Sequence, residues 1–189
     1  MNTAGTVQLI EDYIRQEQWK KARSLILKAL KTDKNDHWLL SRLATTYYEE
    51  GKYEKAMELE EQARRLAPHC PLVLWGYANV LDMLGHEAKA IRIWKQLLAK
   101  GEEKIAYGEC GEGIRWARSL LNDCIYRIAL AYRDLGKFDM AIQYLKKHIK
   151  NRSPGIPSIY ALSEVKKKLF QLQEQQKQRQ NKKQKVRRH

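Results

Sequence analysis

Residues 37–70 read HWLLSRLATTYYEEGKYEKAMELEEQARRLAPHC. Leu40, Leu43, Ala44 and Tyr47 recur at helical spacing, Gly51 interrupts, and Tyr53, Ala56 and Ala63 open a second helical face that Pro68 stops. The same pattern returns along the chain. Trp19-x2-Ala22, Tyr53-x2-Ala56 and Glu87-x2-Ala90 lie 34 residues apart, and Phe138-x2-Ala141 follows 51 further on, which is one period plus an insertion of 17. Other columns keep this register: Leu9, Leu43, Tyr77 and Ile128; Ile10, Ala44, Ala78 and Ala129; Tyr13, Tyr47, Leu81 and Tyr132. Four units are therefore expected at 3–36, 37–70, 71–104 and 122–155.

Each column has a physical reason. Ala44, Ala78 and Ala129 are small where the first helix of a pair approaches the second, and Ala22, Ala56, Ala90 and Ala141 do the same from the second helix. Tyr47, Tyr53, Trp94, Tyr132 and Phe138 fill the space between pairs. Gly51, Gly85 and Gly136 stand where first helices end, at a position suited to positive φ. The array is degenerate: Glu17 replaces the turn glycine in unit one, Glu60 stands where an apolar side chain is expected, and Glu87 and His148 depart from the pattern in units three and four.

The 34-residue helix–turn–helix unit resembles the tetratricopeptide repeat (TPR). That resemblance implies an all-α fold, a right-handed superhelical array (α-solenoid) of antiparallel helix pairs, with about four units spanning 3–156. The composition agrees, since Ala, Leu, Glu, Lys, Gln and Arg dominate and no alternating Val/Ile/Thr run suggests a strand. With 189 residues, 43% of them hydrophobic, the chain can build a core.

A repeat array must cover the apolar face of its last pair. Ile159, Leu162, Val165, Leu169 and Leu172 form a stripe that predicts a capping helix within 157–178. Residues 179–189 then read as a basic, disordered tail. Net charge is +14, of which residues 165–189 hold +9 and the other 164 only +5. Lys177, Arg179, Lys182, Lys183, Lys185, Arg187 and Arg188 are interleaved with glutamines and could be a solvated end, an RNA or ribosome contact, or a surface for an acidic protein. No aromatic side chain lies between these cations, so any nucleic-acid contact would be to phosphates.

The insertion, 105–121, reads as a loop followed by an elongated helix. Ile114, Ala117, Leu121, Cys124, Ile128, Ala131 and Leu135 alternate steps of 3 and 4 without a phase break, which predicts one helix of about 22 residues and about 33 Å. It should overhang its neighbours by two turns and carry Trp116 as a possible second contact surface, for a partner or for self-assembly. Gly108, Gly111 and Gly113 precede it, but Glu109 and Glu112 repel an anion and no strand comes before, so a phosphate loop is not expected.

Chemistry finds little support. No HExxH, GxSxG or clustered ligand motif is present; His37, His69, His86 and His148 fall near unit ends or turns, and His189 is terminal. Cys70, Cys110 and Cys124 are spaced by 40 and 14, which fits neither a CxxC motif nor a paired disulfide framework, so small buried thiols are expected. No metal, cofactor or enzymatic activity is expected. The N-terminus lacks a signal-peptide pattern and no apolar run reaches membrane length, so the expected location is cytoplasmic, with no membrane partner.

What remains is binding. In the repeat family the first helices line a concave face, and in this register their inward residues include Trp38, Tyr48, Trp75, Asn79, Met83, Tyr126 and Arg133. The resemblance thus implies a scaffold or chaperone-like adaptor holding a protein or peptide segment in an aromatic groove. Relatives that hold chaperone tails use a lysine and asparagine clamp on these faces; here Val7, Glu11, Ser41, Thr45 and Gly76 occupy the matching places, so such tails are poor candidates. Oligomeric state is not legible.

Overall fold

The computed structural model describes residues 4–152 and 155–186, with side chains through 181. Among the described residues there are ten helices and no strand: α1 (Ala4–Arg15), α2 (Trp19–Leu30), α3 (His37–Tyr48), α4 (Tyr53–Leu66), α5 (Pro71–Met83), α6 (Glu87–Lys100), α7 (Glu102–Tyr107), α8 (Ile114–Asp134), α9 (Phe138–Arg152) and α10 (Leu162–Val186). They fall into two compact units, one of residues 1–93 with 109–111 and one of 94–108 with 112–189.

In the first unit α3 packs on α2, α4 and α5. The alanine columns serve as expected: Ala22, Ala44, Ala56 and Ala78 are fully buried, beside Ile10, Ile26, Leu39 and Val73. Helix starts are defined locally. Asp36 accepts the Leu39 N–H at 3.0 Å to cap α3, and Pro71 opens α5, where a missing N–H costs nothing. Arg23 ties two helices together, donating to Thr46 Oγ1 at 3.2 Å and pairing with Glu50 at 2.9 Å while lying 4.2 Å over the Tyr47 ring.

The turn column has one conformation throughout. Gly51, Gly85 and Gly136 have φ of 73°, 78° and 70°, and Glu17, at the same repeat position, is held at φ 57°. A Cβ is disfavoured there. Glu17→Gly is therefore expected to stabilise the first unit by roughly 0.5–1 kcal/mol, after the glycine's extra freedom in the unfolded chain is subtracted. Urea unfolding measures this, and a lower midpoint for the variant would contradict it.

In the second unit α8 packs against α7 and α9, and α9 against α10. The elongated helix is present with 21 residues, and Ala117, Leu121, Cys124, Ile128 and Ala131 of its stripe are buried. Three details differ from expectation. First, residues 102–107 form α7, with Ile105 and Ala106 buried and Glu102 paired to Arg118 at 2.7 Å, so the start of α8 does not overhang bare. Glu102 and Glu103 in the first turn favour that short helix through its dipole, and Trp116 is half-buried. Second, α10 begins at Leu162; Ile159 precedes it and is exposed, whereas Val165 and Leu172 are buried. Third, α10 runs to Val186, so residues 179–186 are helical rather than disordered. Lysine, glutamine and arginine are good helix formers and neither glycine nor proline interrupts them. No helix among the described residues is long and apolar enough to cross a membrane.

Candidate functional site

The first unit contains a niche built from α3, α4 and α5. Glu60 of α4 is 1% exposed, and the Ser41 hydroxyl donates to its Oε1 at 3.0 Å. Burial pushes the Glu60 carboxyl well above the ordinary carboxylate range, against the opposing pull of the Ser41 bond and of the Arg42 charge. Gly76 makes this arrangement possible. A Cβ at 76 would lie 2.3 Å from Glu60 Oε1, so a glycine inside α5, costing about 1 kcal/mol of helix propensity relative to alanine, is what admits the carboxyl.

Above this carboxyl lies a cavity of about 40 Å³ bordered by Thr45, Tyr48, Trp75 and Asn79. Three polar atoms of its lining residues have no hydrogen-bond partner: Glu60 Oε2, Trp75 Nε1 and Asn79 Oδ1. Such atoms are costly to bury unless something else satisfies them. Three of the expected groove residues, Tyr48, Trp75 and Asn79, thus meet at one place. Trp38, half-buried, lies under the Arg42 guanidinium at 5.4 Å, with Arg42 paired to Glu11 at 2.6 Å. Met83 is 42% exposed at the end of α5.

The second unit treats its two expected groove residues differently. Tyr126 is buried at 3% exposure, its ring 4.1 Å from Tyr160 and 5.4 Å from His148, so it is a core side chain and not a groove anchor. The segment before α10 supplies Tyr160 as its cover, which the repeat register alone could not indicate. Arg133 pairs with Asp134 at 2.8 Å and lines a cavity with Lys168, Gln171, Leu172 and Gln175 of α10.

Beneath Tyr126 lies a buried polar cluster. His148 Nδ1–H donates to the Asn122 carbonyl at 2.9 Å, and burial holds this imidazole below its usual pKa. The Ile159 N–H donates to Asp123 Oδ2 at 3.3 Å, and burial raises the Asp123 carboxyl to about 6. The departure at His148 therefore has a structural role.

The basic segment is partly engaged within its own unit. Lys177 pairs with Glu174 at 2.8 Å, and the Arg179 guanidinium lies 4.1 Å from the Phe138 ring. Arg187 and Arg188 lie outside the described residues, as do the side chains of Lys182, Lys183 and Lys185.

Sequence spacing missed two groupings. Glu60, Ser41 and Gly76 form one; its only signals were the acid at an apolar column and a glycine inside a helix. His37, Cys70 and Cys110 form the other, with ligand atoms all within 4.8 Å of one another.

Comparison with known proteins agrees with the repeat fold. Tetratricopeptide repeat models match residues 25–58, 47–108 and 123–152. A curated relative, tetratricopeptide repeat protein 37 of Xenopus laevis, is 26% identical over 144 residues, covering 74% of this chain but only 9% of its own length. Among solved structures, PilW, a type IV pilus biogenesis factor, matches with TM-score 0.65 at 19% identity over 80% of this chain and 64% of its own. A putative kinesin light chain from Podosopora anserina with TPR-like repeats matches at 0.62 and 16% identity, over 97% and 92%. MamA matches at 0.56 and 18% identity, over 95% and 92%. At these identities the structural likeness concerns the fold, which these repeat proteins share. With three tetratricopeptide repeat models matching and successive helix pairs along the chain, the chain belongs to the tetratricopeptide repeat family.

Proposed function

We propose that this chain is a non-enzymatic scaffold whose first unit holds a segment of a partner protein at the niche of Tyr48, Trp75 and Asn79, with Trp38 and Met83 as flanking contacts. The observation that carries this reading is the trio of unpartnered polar atoms on Glu60, Trp75 and Asn79 around a small cavity. A backbone amide or carboxamide of the partner would offer the acceptor that the Trp75 N–H lacks and the donor that Asn79 Oδ1 lacks, while the rings of Tyr48 and Trp75 supply apolar area. Among the described residues no lysine or arginine borders the cavity, which distinguishes this groove from a tail-carboxylate clamp. The carboxyl, indole and carboxamide of this niche carry the proposal, rather than Arg133, Trp116 or the cations of α10.

Affinity capture with quantitative mass spectrometry tests the reading. Trp75→Ala is expected to lose specific partners at least tenfold while circular dichroism stays helical, whereas Arg179→Ala keeps them. Unchanged partners with Trp75→Ala would refute the niche as the contact. Capture that instead disappears after nuclease treatment and with Arg179→Ala would move the function to the basic helix.

A further inference from the structure

We propose that His37, Cys70 and Cys110 form a binding site for a single zinc-class divalent cation. The three residues come from separate parts of the chain, 33 and 40 residues apart, yet their ligand atoms lie within 4.8 Å of one another, and His37 Nε2 is 3.1 Å from Cys110 Sγ. Tetrahedral zinc with Zn–S of about 2.3 Å and Zn–N of about 2.0–2.1 Å sets ligand atoms roughly 3.6–3.8 Å apart. The observed cluster therefore needs only small side-chain rotations to close around an ion.

Several features of the backbone converge on this point. His37 is the first residue of α3, held by the Asp36 cap, and Cys70 is the residue on which α5 begins, rigidly placed before Pro71 and fully buried. Because the repeat period is 34, these are matching ends of successive first helices, with a donor atom on each. Cys110 completes the set from the insertion. It has φ 59°, a left-handed conformation that non-glycine residues seldom adopt, between Glu109 and Gly111. A side chain held there against backbone preference is a mark of a functional constraint. Residues 109–111 belong to the first unit, as do His37 and Cys70.

The chemistry of the donors selects the ion. Two thiols and an imidazole suit zinc and exclude magnesium and calcium, which take oxygen ligands. Each thiol releases a proton on coordination, leaving a neutral Zn–bis(thiolate) pair. With three protein ligands, the fourth position is left to water. The ion would fix the glycine-rich segment of the insertion against the ends of α3 and α5.

The test uses the full chain, purified reduced, with Co2+ and Zn2+ as the actual probes. Expected results are a thiolate-to-cobalt charge-transfer band with intense tetrahedral visible bands, saturating at one ion per chain and erased by one equivalent of zinc. Zinc, but not magnesium, raises the melting temperature. Cys110→Ser, in a half-buried loop, and His37→Gln, on a different segment, must each abolish the band while circular dichroism remains helical; His86→Gln, exposed elsewhere, must keep it. Absence of the band in the reduced protein overturns the proposal, as does a band that survives both ligand variants. A Cys70–Cys110 disulfide that forms equally well with zinc present would overturn it too, assigning the same proximity to a covalent link.

Discussion

Replacing Trp94 by alanine is expected to lower the stability of the second unit by about 3–5 kcal/mol, the usual cost of removing a large aromatic side chain from a packed core. Trp94 is fully buried, and the Arg127 guanidinium lies 5.6 Å from its ring, so its removal leaves both a void and a cation without its aromatic neighbour. Trp94→Phe is the informative companion. The indole N–H is buried with no partner, so phenylalanine keeps much of the volume, discards an unsatisfied donor and should cost less than about 1.5 kcal/mol. Urea unfolding measures the loss, and amide exchange on α8 and α9 locates it. Equal losses for the two variants would mean that the indole nitrogen matters more than the packing.

The second expected result concerns pH. Asp123→Asn should match the wild type near pH 3 and be more stable by about 3 kcal/mol at pH 7.5. Below the ordinary 3.8 the carboxyl is protonated in folded and unfolded chains alike, and no difference arises. Between 3.8 and about 6 the unfolded chain has released its proton while the folded one retains it, so each rise in pH favours unfolding. Above 6 the full penalty persists, and the interval between 3.8 and about 6 corresponds to about 3 kcal/mol. Asparagine keeps an oxygen for the Ile159 N–H, so the hydrogen bond is not sacrificed. Two other groups also tilt the profile. Glu60 is raised and acts in the same direction, whereas His148 is lowered and removes stability as pH falls. Comparing the two chains at each pH cancels both. A difference independent of pH would refute the assignment to Asp123.

The helix pairs were legible because close helix contact demands small residues and turns demand positive φ, and both recur every 34 residues. Ala22, Ala56 and Ala90 needed no knowledge of neighbours beyond the pair itself. Phase continuity from Ile114 to Ala131 likewise disclosed α8, since one stripe can belong to one helix only. The niche was half legible: Tyr48, Trp75 and Asn79 followed from the inward face of the first helices. Their companion Glu60 violated the apolar column and made sense only with Gly76, of the next unit, beside it. Tyr126 failed as a groove residue because its exposure depends on Tyr160, contributed by a segment outside the repeats. The His37, Cys70 and Cys110 cluster was illegible for the same reason, since linear spacing carries no information about where an insertion returns.

The close approach of Gly76 to Glu60 couples the two positions. Any side chain at 76 collides with a glutamate at 60, and any apolar residue at 60 removes the reason for a glycine at 76. A Cβ at 76 requires the Glu60 side chain to move. Substitutions at 60 and 76 are therefore expected to be non-additive, so the two residues behave as one unit in any exchange between a polar niche and a hydrocarbon-filled one.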